Sequence, residues 1–259
     1  MTAPAPRPGV AWITGASSGI GAALARRLAA DGWTVAATAR DEAALAELAT
    51  TASGPGGVHA MPGDVTDPAA MERLVERIEA ELGPLDLAVL NAGVYLPVDG
   101  ANLDRALFER SIAVNLNGTV NTLIPVVAAM RPRRTGRIAV VSSVAGYRGL
   151  PTSAAYGATK AGLINLVESL KFDLDRLGIR VQLVTPGFVD TPATRANPFP
   201  MPHLVSVEAA AERIAAGLAG EGFEITFPRR FTFQLKFLRM LPYALYFPLV
   251  ARATGWAKR

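Results

Sequence analysis

Val10-Ala11-Trp12-Ile13-Thr14-Gly15-Ala16-Ser17-Ser18-Gly19-Ile20-Gly21 decides how this chain of 259 residues reads. Val10–Thr14 is a short apolar run with the character of a buried strand, followed by a Gly-rich turn and an Ala/Leu helix from about Ser18 to Ala30 that Asp31-Gly32 closes. The glycines allow a tight turn and a close backbone approach to a bound group, and the helix start offers free N–H groups and the positive end of the helix dipole. The spacing is not G-x-G-x-x-G, so on its own the turn reads equally well as an ordinary strand-to-helix connection.

The same alternation continues downstream. Thr34–Thr38 reads as a second strand, and Asp41 as the N-cap of a helix reaching about Thr51. Val58–Met61 is a third strand, and Asp67-Pro68 starts a helix to Leu82 with proline at its first position. Leu85–Leu90, Arg137–Ser142, Ile179–Thr185 and Phe223–Phe227 complete the strands. Long helices are expected over about Leu103–Met130, kinked or ended by Pro125, and over about Ala154–Leu177, with a shorter one over Val207–Leu218. Strands apolar on both faces, each followed by a helix, imply a parallel sheet covered on both sides. The expected fold is a doubly wound (Rossmann) α/β domain over residues 10–227, with a mostly parallel seven-stranded sheet, a flexible arm over 1–9 and an apolar, basic helical extension over 228–259.

Composition narrows the chemistry. With no cysteine, a thiol nucleophile, a disulfide scaffold and a cysteine-ligated metal are excluded, and a reducing, cytoplasmic setting fits. His59 and His203 are the only histidines, too few for a multi-histidine metal centre, so no metal is expected. The start MTAPAPRPG lacks the apolar core of a secretory signal, and no stretch reaches about 18 uncharged apolar residues. Seven basic residues and no acidic one follow Glu224, so the net charge of +4 belongs to the tail and residues 1–224 sum to −3. That body carries no basic run suited to phosphate tracking, which argues against nucleic acid.

In an open parallel sheet, ligands bind beyond the carboxyl ends of the strands. The unusual clusters here fall at those ends. Strand two ends in Ala39-Arg40, where a cation suits a 2′-phosphate and an acid would suit free ribose hydroxyls; the cofactor reading is therefore NADP(H) before NAD(H). Asp64 and Val65 after strand three, and Asn91 and Gly93 after strand four, are candidate walls for adenine and ribose. Strand five ends in Ser142-Ser143, and Tyr156 and Lys160 follow at i and i+4 on one helix face. A phenol titrating near pH 10 needs a depression of roughly three units to serve as an acid–base group at neutrality, and an adjacent cation favours the phenolate.

TGASSGIG, Asn91-Ala92-Gly93, the Ser143–Tyr156–Lys160 spacing and Pro186-Gly187 with Thr191 occur in this order at successive strand ends. Together they resemble the short-chain dehydrogenase/reductase family in its compact single-domain form, over about Val10 to Phe227. The resemblance implies Tyr156 as general acid or base, Lys160 as the group that lowers its pKa and holds the nicotinamide ribose, and Ser143 as the donor to the substrate oxygen. Ser142 would face elsewhere. It implies Asn115 as the helix-embedded asparagine that anchors a relay water. It further implies Gly15, Ser17, Ser18, Ile20, Gly21, Pro186, Gly187, Val189 and Thr191 as cofactor contacts, with Thr191 reaching the carboxamide. A homodimer or homotetramer built on the two long helices is implied as well. A catalytically idle dinucleotide-binding or scaffold protein of the same fold is the alternative.

Val144, Tyr147, Leu150, Phe188, Val189 and Phe199, with Tyr95, are the expected substrate walls. They favour a hydrophobic ketone, aldehyde or alcohol, under a lid over Thr191–Val205. Arg148 and Arg195 are candidates to bind a substrate acid but read more readily as solvated surface groups. Eight of the 18 aromatic residues lie between Ile225 and Arg259, with Phe231, Leu235 and Leu238 at helical spacing. Three readings of this tail stand open: a cover over the cleft or a subunit interface, an interfacial membrane anchor, or a nucleic-acid stacking surface.

Overall fold

Alternating apolar side chains send each strand's residues to two separate cores, one on each face of the sheet. In the computed structural model, which describes residues 8–194 and 201–256, the strands are β1 (Val10–Thr14), β2 (Thr34–Thr38), β3 (Gly57–Ala60), β4 (Leu85–Leu90), β5 (Gly136–Val141), β6 (Ile179–Pro186) and β7 (Glu224–Phe227). They form one parallel sheet in the order β3-β2-β1-β4-β5-β6-β7. The order reverses between β1 and β4, so the crevice there opens at the strand carboxyl ends. The boundaries differ from the expected ones by about a residue, as element ends commonly do.

Ala11, Ile13, Val35 and Val89 face a core closed by α1 (Gly19–Ala30), α2 (Glu42–Thr51) and α7 (Val207–Ala219). Trp12, Ala36, Ala88 and Ile138 face the opposite core, closed by α3 (Pro68–Glu81), α5 (Gly118–Met130) and α6 (Ala154–Arg176). Trp12 is fully buried yet satisfied, its indole Nε1 donating to Thr38 Oγ1 at 2.8 Å. Asp41 and Asp67 cap α2 and α3 by accepting from Ala44 N and Ala70 N, with Pro68 at the first helical position as expected.

The expected single helix over Leu103–Met130 is instead α4 (Arg105–Ser111), a π-helical turn over Ile112–Asn117, and α5. Pro125 does not end its regular part: α5 runs through it to Met130. The irregularity includes Asn115, whose side chain bonds both backbone groups of Val94. Arg105–Arg133 has the length and hydropathy of a membrane-crossing helix, the one such run among the described residues. Leu123, Val126 and Met130 pack it into the core.

After β7 the chain forms α8 (Arg229–Met240) and α9 (Tyr243–Ala253). Arg148 holds them against the body. Its Nη1 donates to the carbonyls of Leu238, Arg239 and Leu241 at 3.0, 3.0 and 2.6 Å, and its guanidinium lies 4.6 Å from the Tyr243 ring centre and 3.9 Å from that of Tyr246. Arg148 is thus a clamp on the tail, not a solvated surface group: its guanidinium gathers the carbonyls at the end of α8 and stacks on two rings of α9. A second tie joins Lys236 on α8 to Glu224 on β7.

Candidate active site

Beyond the carboxyl ends of β4, β5 and β6 lies a cavity of about 420 Å³. β5 delivers Ser143, which caps a short 3-10 turn by accepting from Ala145 N at 3.1 Å. The first turns of α6 deliver Tyr156 and Lys160, and all three side chains line the cavity. Ser142 also borders the cavity, but its Oγ is engaged by the Lys160 carbonyl, to which it donates at 2.8 Å.

Burial dominates the electrostatics. It pushes the Tyr156 phenol up to about 12; the hydrogen bond with Ser143 pulls the other way. Burial brings Lys160 down to about 8. Lys160 Nζ donates to the Val141 carbonyl at 2.8 Å and stands 5.6 Å from the centre of the Tyr156 ring. The depression of the phenol expected from the lysine alone is thus outweighed by desolvation. Tyr95 packs edge-on against Tyr156, with ring centres 5.1 Å apart, and its own hydroxyl lies 3.0 Å from Thr152 Oγ1.

Asn115 joins the loop after β4 to α6. Its Oδ1 accepts from Val94 N at 2.7 Å, and its Nδ2 donates to Val94 O at 3.0 Å and Thr159 Oγ1 at 3.1 Å. A Cβ placed on Gly93 would sit 3.3 Å from Asn115 Oδ1 and 3.5 Å from Lys160 Nζ. The missing side chain therefore leaves a polar niche between those two groups.

The residues at the switch point fit a dinucleotide. Gly15 has φ +68°, and a Cβ on Gly21 would lie 2.3 Å from the Gly15 carbonyl, so both positions demand glycine. Ser18 occupies the N-cap of α1 without a side-chain bond to the helix, unlike the capping aspartates, and the first turn holds no acid. The N–H groups there stay available to an anion. Asn91 Nδ2 donates to the carbonyls of Thr14 and Gly15 and so ties the floor of the turn to β4. Arg40 is exposed at the end of β2, with no hydrogen bond or ion pair among the described residues. Asp41 beside it is engaged as a cap.

Other expected residues fall as follows. Ile20, Pro186, Gly187, Val189 and Thr191 line the cavity. Asp64 folds back on Thr66, and buried Val65 accepts from Asn121 Nδ2 while filling the space beside Gly118. Ser17 and Ser18 border a separate groove between α1 and α7. Of the substrate walls, Val144, Leu150, Phe188 and Tyr95 line the cavity. Tyr147 does not. The 3-10 turn carries its ring into the core, where the hydroxyl donates to Glu224 Oε1 at 2.5 Å and lies 2.8 Å from Thr185 Oγ1. Burial, then the bond to Glu224, carries that phenol above its ordinary range. Phe199, Arg195 and the middle of the expected lid lie outside the described residues.

The tail completes the cavity. Phe231, Gln234, Leu235 and Leu238 of α8, with Val250 and Ala253 of α9, form its outer wall. Phe231 also packs against Phe188, with ring centres 5.6 Å apart. Helical spacing made this apolar stripe visible in the sequence; nothing there showed which wall it would form.

A glycine-lined crevice for a dinucleotide, facing a phenol and an ammonium across an apolar hollow, belongs to enzymes that move hydride between a nicotinamide cofactor and a CH–OH group. Known proteins agree. The family pattern described as short chain dehydrogenase matches residues 9–199. An oxidoreductase of uncharacterised role from Myxococcus xanthus is 38% identical over 237 residues, covering 91% of this chain and 94% of that protein. The 3-oxoacyl-[acyl-carrier-protein] reductase MabA of Mycobacterium avium is 35% identical over 184 residues, 71% of this chain and 68% of its own. The chain belongs to the short-chain dehydrogenase family, and is an NAD(P)-dependent enzyme acting on CH–OH groups.

Proposed function

We propose that this protein is an NADP(H)-dependent oxidoreductase that interconverts a carbonyl and an alcohol on an apolar substrate, with Tyr156 as general acid and base. The observation that carries the reading is the convergence of Ser143, Tyr156 and Lys160 on one cavity whose remaining walls are mostly apolar. The bound dinucleotide supplies or accepts the hydride. In reduction Tyr156 gives its phenolic proton to the carbonyl oxygen, and in the alcohol direction it takes that proton back. Ser143, hydrogen-bonded to the phenol, donates to the same oxygen. Lys160, held by Val141, holds the nicotinamide ribose and sets positive charge behind the phenol as proton leaves it. A water in the niche beside Gly93 would connect Lys160 with the second lone pair of Asn115 Oδ1.

Arg40 supports the choice of NADP(H) over NAD(H), being an exposed cation at the end of β2, unpaired among the described residues, next to an acid already engaged as a cap. Gly15, Gly21 and the start of α1 are read as the pyrophosphate cradle, with Thr191 at the carboxamide. Leu235, Leu238 and Phe231 suit an acyl or other hydrocarbon chain, and the likeness to a 3-oxoacyl reductase makes a keto-acyl group a fitting member of that class. We read residues 10–227 as the oxidoreductase domain and the helices over 229–253 as its cover, in a cytoplasmic homodimer or homotetramer. Ile124 on α5 and Phe172 on α6 are exposed on the two helices expected to pair.

A panel of ketones and aldehydes of increasing chain length, followed by NADPH absorbance, tests the reading. kcat/KM should rise with chain length by roughly tenfold for each two methylenes buried, from about 0.8 kcal/mol per CH₂. A preference for short or charged carbonyls would overturn the apolar-substrate reading.

A further inference from the structure

The tail helices are apolar on more than the face that covers the cavity. On α8, Phe231, Leu235 and Leu238 recur at i, i+4 and i+7 and turn inward, with Phe231 buried and the two leucines on the cavity wall. Phe233, Phe237 and Met240 recur at the same spacing half a helical turn away, and stand 60, 60 and 74% exposed. A helix that needs only one apolar stripe to dock on its own protein has a second one left over. The second stripe does not stop at the end of α8. Tyr243 and Phe247 on α9 continue it, both more than 60% exposed and stacked on each other with ring centres 5.7 Å apart.

Charge accompanies this surface and has one sign. Arg229, Arg230, Arg239 and Arg252 are exposed on the same two helices, and no acidic residue follows Glu224 in the chain. Glu224 itself is matched by Lys236: burial works to raise its carboxyl, but the hydrogen bonds from Lys236, Thr185 and Tyr147 prevail and hold it below its usual value. Residues 1–224 sum to −3, so the basic character is confined to the part of the molecule that carries the exposed aromatics. A second copy of this chain would bring the same positive charge against it across a two-fold interface. An anionic lipid surface is complementary in both respects, taking the aromatic and methionine side chains into the acyl boundary and the arginines at the headgroups.

We propose that α8 and α9 form a bilayer-docking surface, which seats the protein on membranes bearing anionic lipids with the cavity wall next to the bilayer. The proposal is independent of the reaction, since the residues of the exposed stripe lie outside the cavity. If the substrate is apolar as read above, the same two helices that line its pocket would face the phase in which it dissolves.

The test uses the purified full chain with vesicles of phosphatidylcholine alone and of phosphatidylcholine with phosphatidylglycerol. Co-sedimentation should be strong only with the mixed vesicles and should fall as salt rises through the range in which charges are screened. Phe233→Glu with Phe237→Glu should lower the partition coefficient at least tenfold, and Arg229→Glu with Arg230→Glu should abolish the preference for phosphatidylglycerol. NADPH binding and circular dichroism should be unchanged in both variants, since all four residues are exposed. Equal binding of wild type and the double-glutamate variant to mixed vesicles would overturn the proposal. So would a wild-type chain that ignores the mixed vesicles, or a Phe233/Phe237 variant that changes only the oligomeric state in light scattering, which would make this face a contact between copies.

Discussion

Lys160 and Tyr156 stand one helical turn apart with 5.6 Å between the ammonium and the ring centre, and the lysine's hydrogen bond goes to the Val141 carbonyl at 2.8 Å. The two groups are stationed side by side, and each is stripped of water by the walls around them. Burial therefore favours the neutral form of both: the lysine falls to about 8 and the phenol climbs to about 12.

Stability should report this desolvation. Between pH 8 and 10.5 the unfolded chain keeps the Lys160 proton while the folded chain gives it up, so the unfolded state binds more protons and stability rises with pH across that window. Lys160→Met should remove that rise. Relative to wild type the variant should gain up to about 3 kcal/mol at pH 7, with the advantage fading towards pH 10.5. Urea denaturation at stepped pH measures the difference, and a pH-independent difference would contradict it.

Arg40 should set the choice of dinucleotide. Arg40→Ala removes a charge-assisted contact of about 1.5–3 kcal/mol to a 2′-phosphate, so the Kd for NADPH should rise about 10–100-fold while that for NADH stays within about twofold. Fluorescence titration of both cofactors separates the cases; equal losses would mean that Arg40 does not read the phosphate.

Gly21→Ala should abolish dinucleotide binding. The added methyl would stand 2.3 Å from the Gly15 carbonyl and 2.7 Å from Asn91 Nδ2, so the phosphate turn must deform. Overpacking of this kind costs about 1–3 kcal/mol of stability, visible as a lowered urea midpoint in the same preparation. Retained NADPH affinity would place the cofactor elsewhere.

Arg148→Ala should loosen the tail. It removes three hydrogen bonds to carbonyls at the end of α8 and two contacts with aromatic faces. A loss of about 2–3 kcal/mol is expected, with faster proteolysis after Phe227 and a raised KM for long-chain substrates. Arg148→Lys should recover little, because one ammonium cannot reach three carbonyls while stacking on two rings. An unchanged cleavage rate would show that Lys236–Glu224 and the apolar contacts suffice.

The sequence made the framework legible because its determinants are local. Asp41 and Asp67 announce helix starts by their own side chains, and Tyr156 and Lys160 share a face by helical geometry alone. What was not legible depends on groups far along the chain. Arg148 looks like any surface arginine until backbone carbonyls about ninety residues later are brought to it, and carbonyls carry no sequence signature. Tyr147 sits within a few residues of Ser143, but the 3-10 turn between them rotates it from the cavity to Glu224. Propensity points to Pro125 as the irregular place in the long helix, whereas the π-helical turn falls over Ile112–Asn117, where Asn115 bonds Val94.

The proposed acid–base role rests on a single oxygen atom. Tyr156→Phe keeps the ring against Tyr95 and removes only the hydroxyl that exchanges a proton with the substrate. Steady-state reduction of the best carbonyl from the panel should fall by about 10²–10⁴-fold, with NADPH affinity within about twofold of wild type. A variant that still turns over at more than a tenth of the wild-type rate would contradict the role assigned to Tyr156.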